Sequence, residues 1–125
     1  MKNKTINTEF DSTSEFFIRH IEIANVLVPE IERLTRQEVI FLARYVEFIY
    51  NGGHIGDHKG LSEYLLTNRI IHTPNNASGY KTRLGIKRWL RKKDGVYDLP
   101  NFLRFKPGEE LRTKITMNNG LIEQS

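Results

Sequence analysis

Leu34-Thr35-Arg36-Gln37-Glu38-Val39 constrains this chain more than any other stretch. Thr35 and Glu38 have the spacing of a capping box, and Leu34 and Val39 flank it as the two halves of a hydrophobic staple, so a helix is expected to start here. Downstream, Val39, Leu42, Ala43, Val46 and Tyr50 form one apolar stripe, and Phe41, Tyr45 and Phe48 form a second. Such a helix needs neighbours on more than one side, and Asn51-Gly52-Gly53 stops it. With 125 residues there is room for one domain around this helix, large enough to bury a core without disulfides or metals.

The neighbours are legible on both sides. Residues 1–12 are polar, show no periodicity and read as a flexible arm. From Ser14 on, Phe17, Ile21, Ala24 and Val28 recur at helical spacing with Phe16, Ile23 and Leu27 beside them, which predicts an amphipathic helix ending before Pro29. A loop rich in Gly and His precedes a shorter helical pattern around Leu61, Tyr64 and Leu65, ending near Ile70 or Ile71. A further helix is expected to begin at Asn75, Asn76 or Ser78 and to run on through a basic segment, with Tyr80, Leu84, Ile86, Trp89 and Leu90 as its candidates for burial; Gly79 and Gly85 weaken it. After Asp94-Gly95 the pattern turns extended, through Val96 to Leu99, Phe102 to Phe105 and, beyond Pro107-Gly108, the alternating Leu111, Thr113, Ile115 and Met117. The expected fold class is mainly α with a small β ribbon. Its boundaries fall at 13–117, followed by a polar tail over 118–125.

Charge is distributed unevenly along this pattern. Residues 81–93 hold seven of the nineteen Lys and Arg and no acidic side chain, so a local +7 within a net +4 leaves −3 for the remainder. Focused basicity of this kind suits a polyanion. With no cysteine, disulfides, zinc–thiolate sites and thiol nucleophiles are excluded together. The amino terminus lacks the apolar core of a signal peptide, no apolar run approaches the length of a membrane span, and a soluble cytoplasmic protein is expected.

The order helix, capped helix, short helix, basic helix, ribbon resembles the winged helix–turn–helix. The resemblance covers roughly residues 34–105 and rests on that order, on the LTRQE start, and on the stretch YKTRLGIKRWLRKKDGVYDLP with the ribbon after it. It is similar to small proteins of this type from bacteria and tailed phages. The segment from His72 to Gly79 reads as a wide connection where a tight turn is usual. In such proteins the basic helix enters the major groove of double-stranded DNA and the ribbon touches the backbone. The resemblance therefore implies that Asn75, Asn76, Ser78, Tyr80, Lys81 and Arg83 face base edges, and that Lys87, Arg88, Arg91, Lys92 and Lys93 meet phosphates. Five neutralised phosphates imply a log–log salt slope of roughly −4 to −5. A small regulator acting as a dimer is the expected function.

Other readings of the same residues are kept beside this one. A helix–turn–helix core also suits an assembly subunit, as in phage packaging or connector proteins of a virion, with termini ordered by neighbouring subunits. The basic segment itself is open to a purely internal role, as a charge pair with Glu30, Glu32 or Glu38. Trp89, spaced with Ile86 and Leu90, is expected to anchor the core rather than to stack on a base, and Gly85 suits either close packing or a phosphate approach. His54 and His58 have a ligand-like spacing, but the glycines around them argue against a helix there, so no metal is expected; His20 reads as partly buried and His72 as a turn residue. No phosphate-binding Gly loop, GxSxG or HExxH is present, and Glu109-Glu110 follows a turn, so neither catalysis nor a cofactor is expected.

Overall fold

The computed structural model describes residues 13–105 with their side chains, apart from that of Pro74, and two further strands, Thr116–Asn118 and Leu121–Glu123, as backbone. Four helices lead: α1 (Thr13–Leu27), α2 (Arg36–Tyr50), α3 (His58–Thr67) and α4 (Pro74–Ile86), with a 3-10 turn at Glu30–Glu32. The antiparallel ribbon of β1 (Arg91–Lys93) and β2 (Val96–Asp98) follows, then a second 3-10 turn at Asn101–Leu103. The protein is mainly helical with a small antiparallel ribbon, as its sequence pattern implies.

The capping box forms as its spacing requires. The Glu38 backbone N–H donates to Thr35 Oγ1 (3.2 Å) and the Thr35 N–H donates to Glu38 Oε1 (2.8 Å). Ahead of it, the Asn25 side chain of α1 grips the backbone of Leu34 from both sides, accepting from its N–H (2.8 Å) and donating to its carbonyl (3.2 Å). The start of α2 is thereby fixed against α1 before any apolar contact is counted.

Both predicted stripes of α2 pack inward, with Phe48 and Tyr50 half-buried and the rest buried, and each finds a different partner. Phe17 of α1 meets Tyr50 edge-on at 5.5 Å. On the other side Phe41 stacks on Tyr80 of α4 (4.8 Å between centroids) and Phe48 lies against Tyr64 of α3 (5.7 Å). The Tyr45 hydroxyl, on a fully buried side chain, donates to the carbonyl of Tyr97 in β2 (2.6 Å) and ties the ribbon to the core helix. Burial and then the charge of Asp98 push the Tyr45 phenol well above its ordinary pKa, so it remains a donor.

Several expectations need correction. Phe102 and Leu103 lie buried in a 3-10 turn and not in a strand, because His20, itself 1% exposed, takes the Phe102 carbonyl at 2.9 Å while its ring packs with Phe16, Phe102 and Phe105. His20 is thus wholly rather than partly buried. His58 is the first residue of α3: Asp57 accepts from the Gly60 N–H (2.9 Å), and this cap starts a helix despite the neighbouring glycines. The connection between α3 and α4 is shorter than read from the sequence, since α4 begins at Pro74, a favoured first helical residue. β3 (Thr116–Asn118) begins within the segment expected to be extended, but its antiparallel partner β4 (Leu121–Glu123) lies in the stretch 118–125 expected to be a polar tail; the sequence between the two strands, Asn119-Gly120, is a common hairpin signal. The arm at 1–12 and the alternating segment with its Pro107-Gly108 turn and Glu109-Glu110 lie outside the described residues, apart from the two strands above.

One polar network joins three helices beneath the surface. Glu47, 7% exposed, accepts from Ser14 (2.6 Å), Thr13 (3.0 Å), Arg44 (2.9 Å) and the Tyr64 hydroxyl. Burial pushes its carboxyl up, but the hydrogen bonds from Ser14, Tyr64 and Thr13 and the charge of Arg44 outweigh that and hold it below the ordinary carboxylate value. A carboxylate with a lowered folded pKa contributes stability above its unfolded value, and that stability is lost as pH falls through the folded value. Glu47→Gln is therefore expected to lower stability at about pH 7 and to flatten the acid limb of the stability profile, measured by urea unfolding between about pH 7 and about pH 3. An acid limb as steep as that of the wild type would show that Glu47 is not the group responsible.

Candidate nucleic-acid interface

Helical phase sorts the residues of α4 into two sets. Ala77, Lys81 and Leu84 recur at the spacing of a single face and are buried, whereas Asn75, Ser78, Thr82, Arg83 and Ile86 are exposed. Asn76 is exposed as well, but its carbonyl oxygen accepts the backbone N–H groups of His72 (3.0 Å) and Thr73 (3.1 Å), which stabilises the helix start. Tyr80 is half-buried against Phe41, with the Arg83 guanidinium 4.6 Å from its ring centroid.

The basic run does not continue as helix. Beyond Ile86, Arg88 adopts a left-handed φ of 70°, and the N–H groups of Trp89 and Leu90 both point back to the Leu84 carbonyl (2.8 and 3.3 Å). The reversal buries Trp89 and Leu90, and the Trp89 indole N–H donates to the Glu32 carbonyl at 2.6 Å. Trp89 is the anchor its spacing suggests; the helix ends because burial of these two residues and pairing of Arg91, Lys92 and Lys93 with β2 offset the lost helical hydrogen bonds. In the ribbon, Arg91 faces Asp98, Lys92 faces Tyr97 and Lys93 faces Val96, closed by Asp94 (φ 53°) and Gly95 (φ 80°), two left-handed residues that suit a two-residue hairpin turn. Gly85 has a packing role: a Cβ there would lie 2.8 Å from Tyr97 Cε1, so the absent side chain is what lets the ribbon close on α4.

Two cations of the run, the exposed Arg83 and the half-buried Lys87, pair with one buried acid. Glu38, 3% exposed, holds Lys87 Nζ at 2.7 Å on Oε1 and Arg83 Nε at 3.4 Å on Oε2 while still closing the capping box of α2. Burial raises its pKa; the hydrogen bonds from Lys87 and the Thr35 N–H, with the charges of Lys87 and Arg83, overcome this and keep it below the ordinary carboxylate range. The internal charge pair that the sequence offered as an alternative is therefore present for Arg83 and Lys87, with Glu38 as the acid.

Lys81 goes inward, to a different surrounding. It is 7% exposed, its Nζ lies 3.1 Å from His58 Nδ1 and 5.3 Å from the centroid of the Tyr45 ring, and burial lowers its pKa. It lines a pocket of about 290 Å³ between α4, the start of α3 and the ribbon, which also takes in His58, Ser78, Thr82, Lys92 and Tyr97. The sequence pattern offers His58 only as a metal ligand, a role it argues against, and gives Thr82 no role; the Ala77-Lys81-Leu84 phase, together with the Asp57 cap, carries the information that places both here.

Arg88, Arg91, Lys92 and Lys93 remain exposed, and among the described residues none of the four has an ion-pair partner. Lys92 sits 5.3 Å from the centroid of the Tyr97 ring. The candidate surface thus combines four cations just beyond α4 and on β1 with the neutral polar side chains of Asn75, Ser78 and Thr82 along α4. Among the described residues no group of His and acidic side chains is arranged to hold a metal. No described helix is long and apolar enough to cross a membrane. No protein-family model, curated protein or solved structure matches this chain.

Removing a partner from a buried carboxylate costs more than removing an exposed charge. Lys87→Ala is expected to lower stability by about 1–3 kcal/mol, the range for a buried polar group left without its partner, and Lys93→Ala to fall within about 0.5 kcal/mol of the wild type. Urea or thermal unfolding of the two variants side by side checks this; equal losses would mean that the Glu38 pair contributes nothing.

Proposed function

We propose that this protein is a non-enzymatic binder of double-stranded DNA, a small regulator that engages the duplex through the exposed face of α4 and the ribbon, in the manner of a winged helix–turn–helix. The observation that carries the reading is the set of four exposed cations without ion-pair partners among the described residues, Arg88, Arg91, Lys92 and Lys93, in a protein where Arg83 and Lys87 are satisfied internally. Cations left over after internal pairing are available to phosphates, where they give affinity and orientation. Asn75 and Ser78, exposed near the start of α4, carry the donors and acceptors suited to base edges.

The pairing of Lys87 with Glu38 lowers the expected phosphate count from five to four. Four contacts give a log–log salt slope of roughly −3 to −4, shallower than the value expected for five. Fluorescence anisotropy with a random-sequence duplex at two salt concentrations tests this. Arg88→Ala/Arg91→Ala/Lys93→Ala is expected to reduce the magnitude of the slope by about 3 and to abolish binding at physiological salt. No binding by the wild type at low salt would end the DNA reading.

A second reading, as an assembly subunit, draws on a different observation. Ile23, Val26 and Leu27 share one face of α1 at 47%, 68% and 41% exposure, and Ile31 follows at 83%. An apolar set of this kind at one end of a helix is a common mark of protein contact. Sedimentation of the wild type and of Val26→Lys/Ile31→Lys separates the readings: an oligomer dissolved by the double variant favours assembly, and a monomer in both removes this support for it.

A further inference from the structure

We infer that the pocket between α4, the start of α3 and the ribbon is a phosphate seat, with Lys81 as its buried anchor. The inference deepens the nucleic-acid reading and rests on it for one source of the phosphate, the backbone of a bound duplex; the other source is free phosphate.

Lys81 is the exception among the inward-facing cations. Arg44 is held by Glu47 and Lys87 by Glu38, yet among the described residues no carboxylate reaches Lys81. An ammonium has three protons to donate, and among the described residues one acceptor meets it, the Nδ1 of His58 at 3.1 Å. Burying such a charge costs free energy unless it is compensated, and apolar or neutral residues would fill the same place without that cost. The charge is therefore retained at a position that opens on a cavity of about 290 Å³.

The lining of that cavity selects an anion. Lys81 and Lys92 are its two cations, Ser78 contributes a hydroxyl with no partner among the described residues, and no Asp or Glu is among the residues that surround it. The Thr82 hydroxyl donates to the Ser78 carbonyl (3.1 Å), so it shapes the wall and supplies no donor to the cavity. A tetrahedral oxyanion in this space takes the two remaining Lys81 protons, one from Lys92 and one from Ser78. Because Ser78 and Lys92 belong to α4 and the ribbon, a backbone phosphate seated here would fix the register of both elements on a duplex, with Lys81 and Lys92 sharing that one phosphate.

The test uses the full chain, inorganic phosphate and a random-sequence duplex as separate probes, and three variants. Lys81→Met keeps the stem and removes the charge, Lys92→Ala alters the exposed mouth should the first variant fold poorly, and Arg91→Ala/Lys93→Ala perturbs the ribbon outside the pocket. Inorganic phosphate, against chloride at matched ionic strength, is expected to shift the His58 ring resonances of the wild type and of Arg91→Ala/Lys93→Ala, and to leave those of Lys81→Met unmoved. Duplex affinity of Lys81→Met is expected to fall roughly tenfold, with the salt slope smaller in magnitude by about one. Should the wild type bind no duplex while phosphate still shifts His58 through Lys81, the DNA reading falls and the seat stands as a site for free phosphate. Should Arg91→Ala/Lys93→Ala lose the duplex while Lys81→Met and Lys92→Ala keep its affinity and slope, and phosphate leaves His58 unmoved, the seat is overturned and the DNA reading survives.

Discussion

The carboxylate of Glu38 holds together the two halves of this protein. One oxygen accepts both the Thr35 N–H and Lys87 Nζ, and the other meets Arg83, so a single buried group starts α2 and secures the last turn of α4. Its position is set by local sequence, because a capping box needs an acid at that spacing. The attachment of α4 is then set by charge, because a carboxylate that is 3% exposed must be paired if it is to stay ionised. Chain reversal after Ile86, burial of Trp89 and the placement of the ribbon all follow from where that attachment leaves the end of α4.

Around α2 the packing distributes work between its faces. α1 lies along one, with Asn25 and the aromatic pair Phe17 and Tyr50 as its fixed points, and the Glu47 network closes the far end through Ser14 and Tyr64. Tyr64 is pushed up to about 12, first by burial and then by its hydrogen bond to Glu47, so its hydroxyl stays a donor to the ionised Glu47 across the neutral range. The other faces receive α3, α4 and the ribbon through Phe48, Phe41 and Tyr45. Each of these aromatic contacts is directional, and together they specify one arrangement of elements too short to be stable alone.

The seven cations of the basic run end in three environments. Arg83 and Lys87 neutralise Glu38, Lys81 is buried beside His58, and Arg88, Arg91, Lys92 and Lys93 face solvent. The division matters for function because only the third group is available to a distant polyanion, and the second needs an anion that enters a pocket. A linear count of charge treats all seven alike. What separates them is helical phase for Lys81, reach to a buried acid for Arg83 and Lys87, and a left-handed residue followed by a strand for the others.

Local chemistry alone determined much of this molecule. The capping box, the two stripes of α2, the stop at Asn51-Gly52-Gly53, the extent of α1 and the Asp94-Gly95 turn each depend on neighbours within a few residues, and all were legible in the chain. The extended pattern reaches into β3, and Asn119-Gly120 signals a partner strand after it, although the polar composition of 118–125 suggests a tail. Other features depend on groups far apart in sequence. The end of α4 was decided by Glu32 and Glu38, more than fifty and nearly fifty residues from Trp89 and Lys87, and the 3-10 turn at Asn101–Leu103 was decided by His20 and the aromatic cluster around it. Periodicity records which face of a helix is apolar, but it does not record which buried carboxylate a lysine will find. That choice belongs to the tertiary structure, because a charge removed from water takes its energy from the partner that packing brings to it.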